Sequence, residues 1–236
     1  MLSKTRAIVL HHIKYGESGL IVTLYTEKFG RLTCMVSGVR SKKTRMPVNL
    51  FQPLFLLETT IYYKQNRELQ RLKEASFSCR YDSIPFTVTK STIALFLAEV
   101  LYLTLREEES NISLFDFLFH SFQLLDNKEE GIPNFHLLFL LHYSKFLGIF
   151  PSSLEDTGSG MLSPDLHLFR DLPEEAAEAL IAMAKTSPAF PEKIKLNHYA
   201  RAVLLDRLIL YYQEHLEEIS RIKSVQVLKD IFHQRP

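Results

Sequence analysis

A run of cations without a single acid is the part of this sequence best suited to binding chemistry. Residues 38–45 read GVRSKKTR, and Arg31 precedes them. The cations of the run are Arg40, Lys42, Lys43 and Arg45. Lys and Arg side chains gathered in a loop can neutralise the phosphates of a nucleic acid and release its condensed counterions. Taken alone, such a run is also typical of a solvated loop or of a nuclear import signal.

A second basic run lies further along the same third of the chain. Residues 64–74 read KQNRELQRLKE and add three candidate phosphate contacts: Lys64, Arg67 and Arg71. Tyr62 and Tyr63 come directly before them, and successive residues of a strand point to opposite faces, so one of the two rings should face outward. An outward ring could stack on a base, whereas alternation assigns most other rings of this region to a core.

The distribution of charge supports a polyanionic partner. Residues 1–80 contain 14 Lys and Arg against 5 Asp and Glu, a balance of +9, although the whole chain carries only +1. Residues 81–236 contain 14 against 22, a balance of −8. A strongly basic module is therefore joined to an acidic one, an asymmetry that points to nucleic acid as the ligand of the first module.

No spacing typical of catalysis occurs in the sequence. GxSxG, GxGxxG, a Walker A motif, HExxH and paired CxxC are all missing, and the nine His are scattered. Cys34 and Cys79 are too few for a disulfide framework, which favours a reducing compartment such as the cytoplasm. We therefore predict a cytoplasmic protein without cofactor or metal, not an enzyme, with no membrane partner.

Two kinds of periodicity divide the chain and position these residues. Up to about residue 80, five short β-rich runs separated by turn signals predict a small closed barrel. The predicted strands are residues 5–15, 20–26, 31–37, 50–63 and 69–79. Apolar residues then recur at helical spacing, which predicts an all-α module. The predicted helices are residues 87–106, 114–125, 133–147, 173–185, 198–218 and 224–232.

The fold class predicted is accordingly α+β, with a five-stranded barrel at residues 1–80 and a helical domain for partner docking at residues 81–236. The two basic runs fall in connections between strands of the barrel. Two basic loops on one barrel could together form a groove for a nucleic-acid strand.

The N-terminal text resembles a known family. Residues 7–43, AIVLHHIKYGESGLIVTLYTEKFGRLTCMVSGVRSKK, followed by LFQPLFLLE at 50–58, are similar to the start of RecO proteins, the bacterial recombination mediators. FLLHYSKFLGIFPS at 139–152 looks like the family's helix with its Leu-Gly-x-x-Pro step, and KSVQVLKDIF at 223–232 looks like its tail. The resemblance covers nearly the whole chain.

This resemblance implies an OB-fold barrel and a helical domain, and a non-enzymatic role in DNA repair. It implies binding of single-stranded and duplex DNA, annealing of complementary strands, and loading of RecA, with RecR, onto DNA coated by single-strand-binding protein. It also implies a cytoplasmic protein, nucleoid-associated during repair, whose helical domain receives the acidic, Phe-terminated tail of single-strand-binding protein. By position, the cations of residues 40–45 match the family's basic loop, with Arg31 on the adjoining strand. Lys64, Arg67 and Arg71 are assigned from charge alone.

One departure from the family concerns metal. Many relatives carry a four-cysteine zinc motif after the Leu-Gly-x-x-Pro step, whereas residues 152–169 here, SSLEDTGSGMLSPDLHLF, contain no Cys. Two other functions remain open from the sequence. They are an RNA-binding or ribosome-associated OB-fold protein, because phosphate grooves discriminate poorly between the two polymers, and a hydrolase with a site assembled from distant residues.

Overall fold

The structure is a computed structural model that describes residues 1–39, 45–154 and 164–233. Contacts between Cα atoms divide the chain into two compact units. The first contains Met1–Pro85 and Ala94–Gln123, and the second contains Phe86–Ile93 and Leu124–Pro236.

The first unit is built on a closed barrel of five strands. The strands are β1 (Leu2–Tyr15), β2 (Gly19–Thr26), β3 (Gly30–Val36), β4 (Leu56–Tyr62) and β5 (Leu69–Phe77). Their order around the barrel is β1-β2-β3-β5-β4, with β3 and β5 parallel and all other neighbours antiparallel. This topology confirms the predicted five-stranded OB-fold.

Alternate residues of these strands fill the barrel. Leu20, Val22 and Leu24 of β2 are buried in one cluster with Cys34 of β3, so the residues between them point outward. Burial raises the pKa of the Cys34 thiol to about 12, which keeps the sulfur protonated and unreactive near neutral pH.

The predicted start of the fourth strand is wrong. Residues Val48–Phe51 form a 3-10 helix, and β4 begins only at Leu56. Leu54 has a φ of 65° and its N–H donates to the Val9 carbonyl at 2.7 Å. This left-handed residue, directly after Pro53, turns the chain before the strand can pair, and the apolar composition of residues 50–55 concealed the turn.

In the described part of the chain, six α-helices follow the barrel, as predicted. They are α1 (Val88–Thr104), α2 (Ile112–Asn127), α3 (Ile132–Phe146), α4 (Glu174–Lys185), α5 (His198–His215) and α6 (Ser224–His233). Among the described residues, none of these helices is both long and apolar enough to cross a membrane. The Asn111 side chain caps α2 by accepting from the Leu114 N–H at 3.0 Å.

Parts of α1 and α2 belong to the first unit and pack on the barrel. The Arg6 guanidinium of β1 lies over the rings of Phe115 and Phe119 and pairs with Glu27 at 2.8 Å and Asp116 at 3.1 Å. The Glu27 partner raises the pKa of Arg6, and Arg6 in turn lowers the pKa of Glu27. The first unit is therefore larger than the barrel alone.

Candidate nucleic-acid interface

The connection between β4 and β5 is held in shape by one buried amide. The Gln70 side chain donates to the carbonyls of Lys64 at 2.8 Å and Arg67 at 2.6 Å, and accepts from the Lys64 N–H at 2.9 Å. These bonds tie the backbone of the basic turn to the first residues of β5. Lys64 and Arg67 therefore extend from an ordered turn, and both are exposed.

The charges of this turn border a surface groove. The groove has a volume of about 420 Å³. Its lining includes Met35, Tyr62, Lys64, Arg67, Leu69 and Arg71. Arg71 lies on β5 opposite Tyr62 of β4 and beside Met35 of β3. All three cations predicted from the second basic run thus meet at one groove, around an aromatic and two apolar side chains.

The two adjacent tyrosines have different surroundings. Tyr62 is 45% exposed and lines the groove. The Tyr63 ring instead stacks on Phe29, with ring centroids 4.1 Å apart and an interplanar angle of 14°. Tyr62 is therefore the outward ring of the pair, the one available for stacking on a base.

Arg31 lies apart from this groove. Its Nη1 donates to the carbonyls of Tyr102 at 2.7 Å and Leu105 at 2.5 Å, at the C-terminal end of α1, and its guanidinium lies 4.9 Å from the Tyr102 ring centre. Burial lowers the pKa of Arg31, and the charge of Arg106 acts in the same direction. Carbonyl groups at the C-terminal end of a helix have no hydrogen-bond donor within the helix and carry partial negative charge. Those at the end of α1 accept from Arg31.

The first basic run is described only at its edges. Arg40, Lys42 and Lys43 lie outside the described residues, whereas Arg45 is exposed. Val39, just before the run, is buried and donates its N–H to the Ser18 carbonyl at 2.9 Å. The run therefore begins at the β1–β2 turn of the barrel.

Comparison with known proteins identifies the family. A family model described as "Recombination protein O N terminal" matches residues 1–79, and one described as "Recombination protein O C terminal" matches residues 85–225. The chain belongs to the RecO family. Proteins named "DNA repair protein RecO" from Bacteroides fragilis, Phocaeicola vulgatus and Christiangramia forsetii are 40%, 37% and 36% identical to it. Each match covers 98% of this chain and 100% of the relative.

Members of the RecO family act in DNA repair and recombination, and this membership confirms the resemblance found in the sequence.

The groove residues that sequence reasoning missed are Met35, Leu69 and the positioning residue Gln70. Alternation along β3 was enough to place Met35 outward. The parallel pairing of β3 with β5, which brings Met35 beside Arg71, joins residues too distant for a local pattern to reveal.

The second unit of this RecO-family chain contains a small notch between α5 and α6. Its lining includes the cations Arg201 and Lys229, His198, and the apolar side chains of Leu205 and Phe232. Arg201 donates to the Asn134 Oδ1 and the Leu196 carbonyl, each at 2.8 Å, and Lys229 pairs with Asp206. The notch has a volume of only about 10 Å³.

Within the described ranges no cluster of three His, Cys, Asp or Glu could hold a metal ion, and residues 155–163 fall outside those ranges.

Proposed function

We propose that this protein is a non-enzymatic mediator of DNA repair that binds single-stranded and duplex DNA and anneals complementary strands. The observation that carries the proposal is the groove in which Lys64, Arg67 and Arg71 surround Tyr62. Membership of the RecO family supports it, because the curated relatives are named DNA repair proteins. The site of action is the bacterial cytoplasm, with association to the nucleoid during repair.

Annealing follows from the chemistry of such a groove. Two complementary strands repel each other through their phosphates, and bound cations lower that repulsion. Lys and Arg contacts to phosphate carry no base sequence, so the base edges remain free to pair. A cationic groove therefore brings two strands together without selecting their sequence.

We assign partner docking to the helical module. With RecR, the protein would help to load RecA onto DNA coated by single-strand-binding protein. The notch lined by Arg201, His198 and Lys229 is our candidate for the acidic, Phe-terminated tail of that protein, because cations there adjoin apolar Leu205 and Phe232. The notch is smaller than a phenyl ring, so Phe232 must move when the tail enters.

Titration of an acidic, Phe-terminated peptide tests this assignment. The variant K229Q should bind the peptide about 2- to 5-fold more weakly, since one partly exposed charge contributes roughly 0.5–1 kcal/mol. K185Q, which removes an exposed cation elsewhere in the second unit, should bind it as the wild type does. Equal affinities for all three proteins would remove the notch as the docking site.

The DNA proposal is tested by annealing of complementary oligonucleotides. A K64Q/R67Q/R71Q variant should anneal them at least about 10-fold more slowly than the wild type, because phosphate screening is lost. A K28Q/K185Q/R221Q variant loses the same charge from exposed cations outside the groove and should anneal normally. Equal rates for all three proteins would reject the groove as the annealing site.

An R40A/K42A/K43A/R45A variant tests the first basic run in the same annealing assay. Competition between matched DNA and RNA oligonucleotides distinguishes a repair protein from an RNA-binding protein.

A further inference from the structure

Three consecutive Glu lie in the connection between α1 and α2. Residues 106–110 read REEES, and all five are exposed. We call this connection the acidic linker. It belongs to the first unit, which also contains the barrel.

Hydrogen bonds to the backbone hold the acidic linker against the first residues of β3. The Arg31 N–H donates to the Glu107 carbonyl at 2.8 Å, and the Ser110 hydroxyl donates to the Glu27 carbonyl at 2.7 Å. Gly30 allows this close approach, since a Cβ at that position would lie 2.5 Å from the Glu107 carbonyl oxygen. The linker therefore has a fixed position on the barrel, which it keeps while its carboxylates stay exposed.

The two helices that the linker joins cover the outer face of β1 and β2 beside it. Thr23 of β2 is buried, although alternation points it away from the barrel interior. Tyr25, the next outward residue of β2, stacks on Phe115 of α2 with ring centroids 6.3 Å apart. His11 of β1 packs on Tyr102 of α1 with ring centroids 4.6 Å apart. OB-folds commonly bind oligonucleotides on the face of β2 and β3, so this chain covers part of that face with its own helices.

The charges at this face also disfavour a polyanion. The guanidinium of Arg31 is hydrogen-bonded to carbonyls at the end of α1, and that of Arg6 is paired with two acids. Both cations are thus already held by partners within the first unit. Burial raises the pKa of Tyr25 to about 12, and the charge of Glu107 acts in the same direction, so negative charge from the linker reaches β2.

The two ends of β3 therefore differ. At its start, Gly30 and Arg31 lie against the acidic linker. Near its end, Met35 lies beside Arg71 and lines the cationic groove. One barrel thus presents an acidic, covered surface and an open, basic groove to the same solvent.

We infer that the acidic linker is an autoinhibitory contact: Glu107, Glu108 and Glu109 keep nucleic acid off the outer face of β1–β3 and so confine a DNA strand to the groove. The inference rests on the proposed function and adds the residues that decide where on the barrel DNA lies. Exposed carboxylates repel phosphates over a Debye length of about 10 Å at 0.1 M salt, which is enough to act on a strand that touches this face. Lys28 and Arg106 are exposed cations of the same region, and they become available to phosphates when the carboxylates are neutralised.

Neutralising the linker in the full-length protein tests the inference. E107Q/E108Q/E109Q keeps the side-chain length and the backbone bonds to the barrel. It should lower the Kd for a single-stranded thymidine oligonucleotide about 3- to 30-fold, because three repulsive charges are removed. E129Q/E130Q/E178Q removes the same charge from exposed acids of the second unit and should change the Kd less than about twofold. Equal Kd values for the two variants would overturn the inference.

The same substitutions in the K64Q/R67Q/R71Q background separate the linker from the groove. The combined variant should recover at least about threefold of the affinity that the groove variant loses, because the face beneath the linker then binds DNA. Photo-crosslinking with 4-thiothymidine should add contacts within β2 and β3 in this variant. Tighter binding only when the groove is intact would also overturn the inference, since the linker would then act on the groove from a distance. If K64Q/R67Q/R71Q itself binds as the wild type does, the proposed groove is wrong, and the linker is judged by comparison with its matched control alone.

Discussion

The cations of the first unit differ in what their head groups contact. Arg6 is held between Glu27 and Asp116, and Arg31 is held by carbonyls at the end of α1. Lys64, Arg67 and Arg71 are exposed around the groove. Arg6 and Arg31, two of the 14 cations behind the formal balance of +9, are therefore held by partners within the first unit, whereas the groove cations face solvent.

Arg31 should affect stability and leave DNA binding unchanged. R31M keeps the side-chain stem and removes the guanidinium, so it should lower the free energy of unfolding by about 2 kcal/mol, the size of a charged hydrogen bond at a helix end. Urea denaturation followed by circular dichroism measures the loss, and an oligonucleotide titration measures affinity. Weakened DNA binding in a variant of normal stability would mean that Arg31 contacts DNA.

Gly16 and Gly30 have nearly equal φ angles but different surroundings, so substituting each by Ala distinguishes the cost of backbone strain from the cost of steric crowding. Gly16 has a φ of 59°, and a Cβ added there would meet none of the described atoms within 4 Å, whereas a Cβ at Gly30, with a φ of 61°, would lie 2.5 Å from the Glu107 carbonyl. G16A should cost about 1–2 kcal/mol of unfolding free energy from strain alone. G30A should cost clearly more, because the segment 107–109 must move off the barrel, and thermal unfolding of the pair measures the difference. Equal costs would show that this segment yields easily.

For individual residues, the sequence predicted correctly those features that depend only on neighbouring positions in a strand. Adjacent residues in a strand must point to opposite faces, so one of Tyr62 and Tyr63 was predicted to face outward. Which one depends on the register of β4 and on Phe29, which covers Tyr63. The partners of Arg31 lie 71 and 74 residues away along the chain, beyond any local pattern.

At the scale of elements, the turn between β4 and β5 depends on Gln70. Q70M fills nearly the same buried volume and removes three hydrogen bonds to the backbone of Lys64 and Arg67. It should raise the Kd for single-stranded DNA about 3- to 10-fold, the equivalent of one or two net hydrogen bonds, because the cations lose their fixed position. Hydrogen exchange at the amides of residues 64–67 should accelerate in parallel. Weaker binding without faster exchange would contradict a positioning role.

Helix α3 should make the second unit sensitive to acid. Burial lowers the pKa of His136 to about 3, with the charge of Arg201 acting in the same direction. Between pH 6.5 and 3 the His136 side chain takes up a proton in the unfolded chain but not in the folded protein. The free energy of unfolding therefore decreases as the pH is lowered below 6.5. From pH 7 to 5 this amounts to about 2 kcal/mol of unfolding free energy.

The H136L variant provides the matched control for that acid dependence. Its unfolding free energy should decline less over the same pH interval, and the difference between the two proteins isolates His136. Urea denaturation at several pH values measures it. Parallel pH profiles would show that His136 is protonated in the folded state.

Periodicity predicted the five strands and six α-helices of the described chain, and most boundaries within a few residues. It missed the start of β4, because Leu50, Phe51 and Leu54 are apolar yet belong to a 3-10 helix and a left-handed turn. These residues are buried through contacts that the turn creates, so their hydrophobicity resembled that of a strand.

The whole molecule combines a basic first third with an acidic remainder. The groove belongs to the first unit, and α1 and α2 each contribute residues to both units. Composition and the charge split predicted that nucleic acid would bind the barrel. They could not predict where the groove lies, which depends on the strand register of the barrel.

The salt dependence of single-stranded DNA binding tests the central claim most directly. Each phosphate contact on a single strand contributes about 0.7 to the slope of log affinity against log salt, so K64Q/R67Q/R71Q should reduce the magnitude of that slope by about 2. The matched K28Q/K185Q/R221Q variant should keep the wild-type slope. An unchanged slope and affinity in the groove variant would contradict the assignment of the groove to DNA.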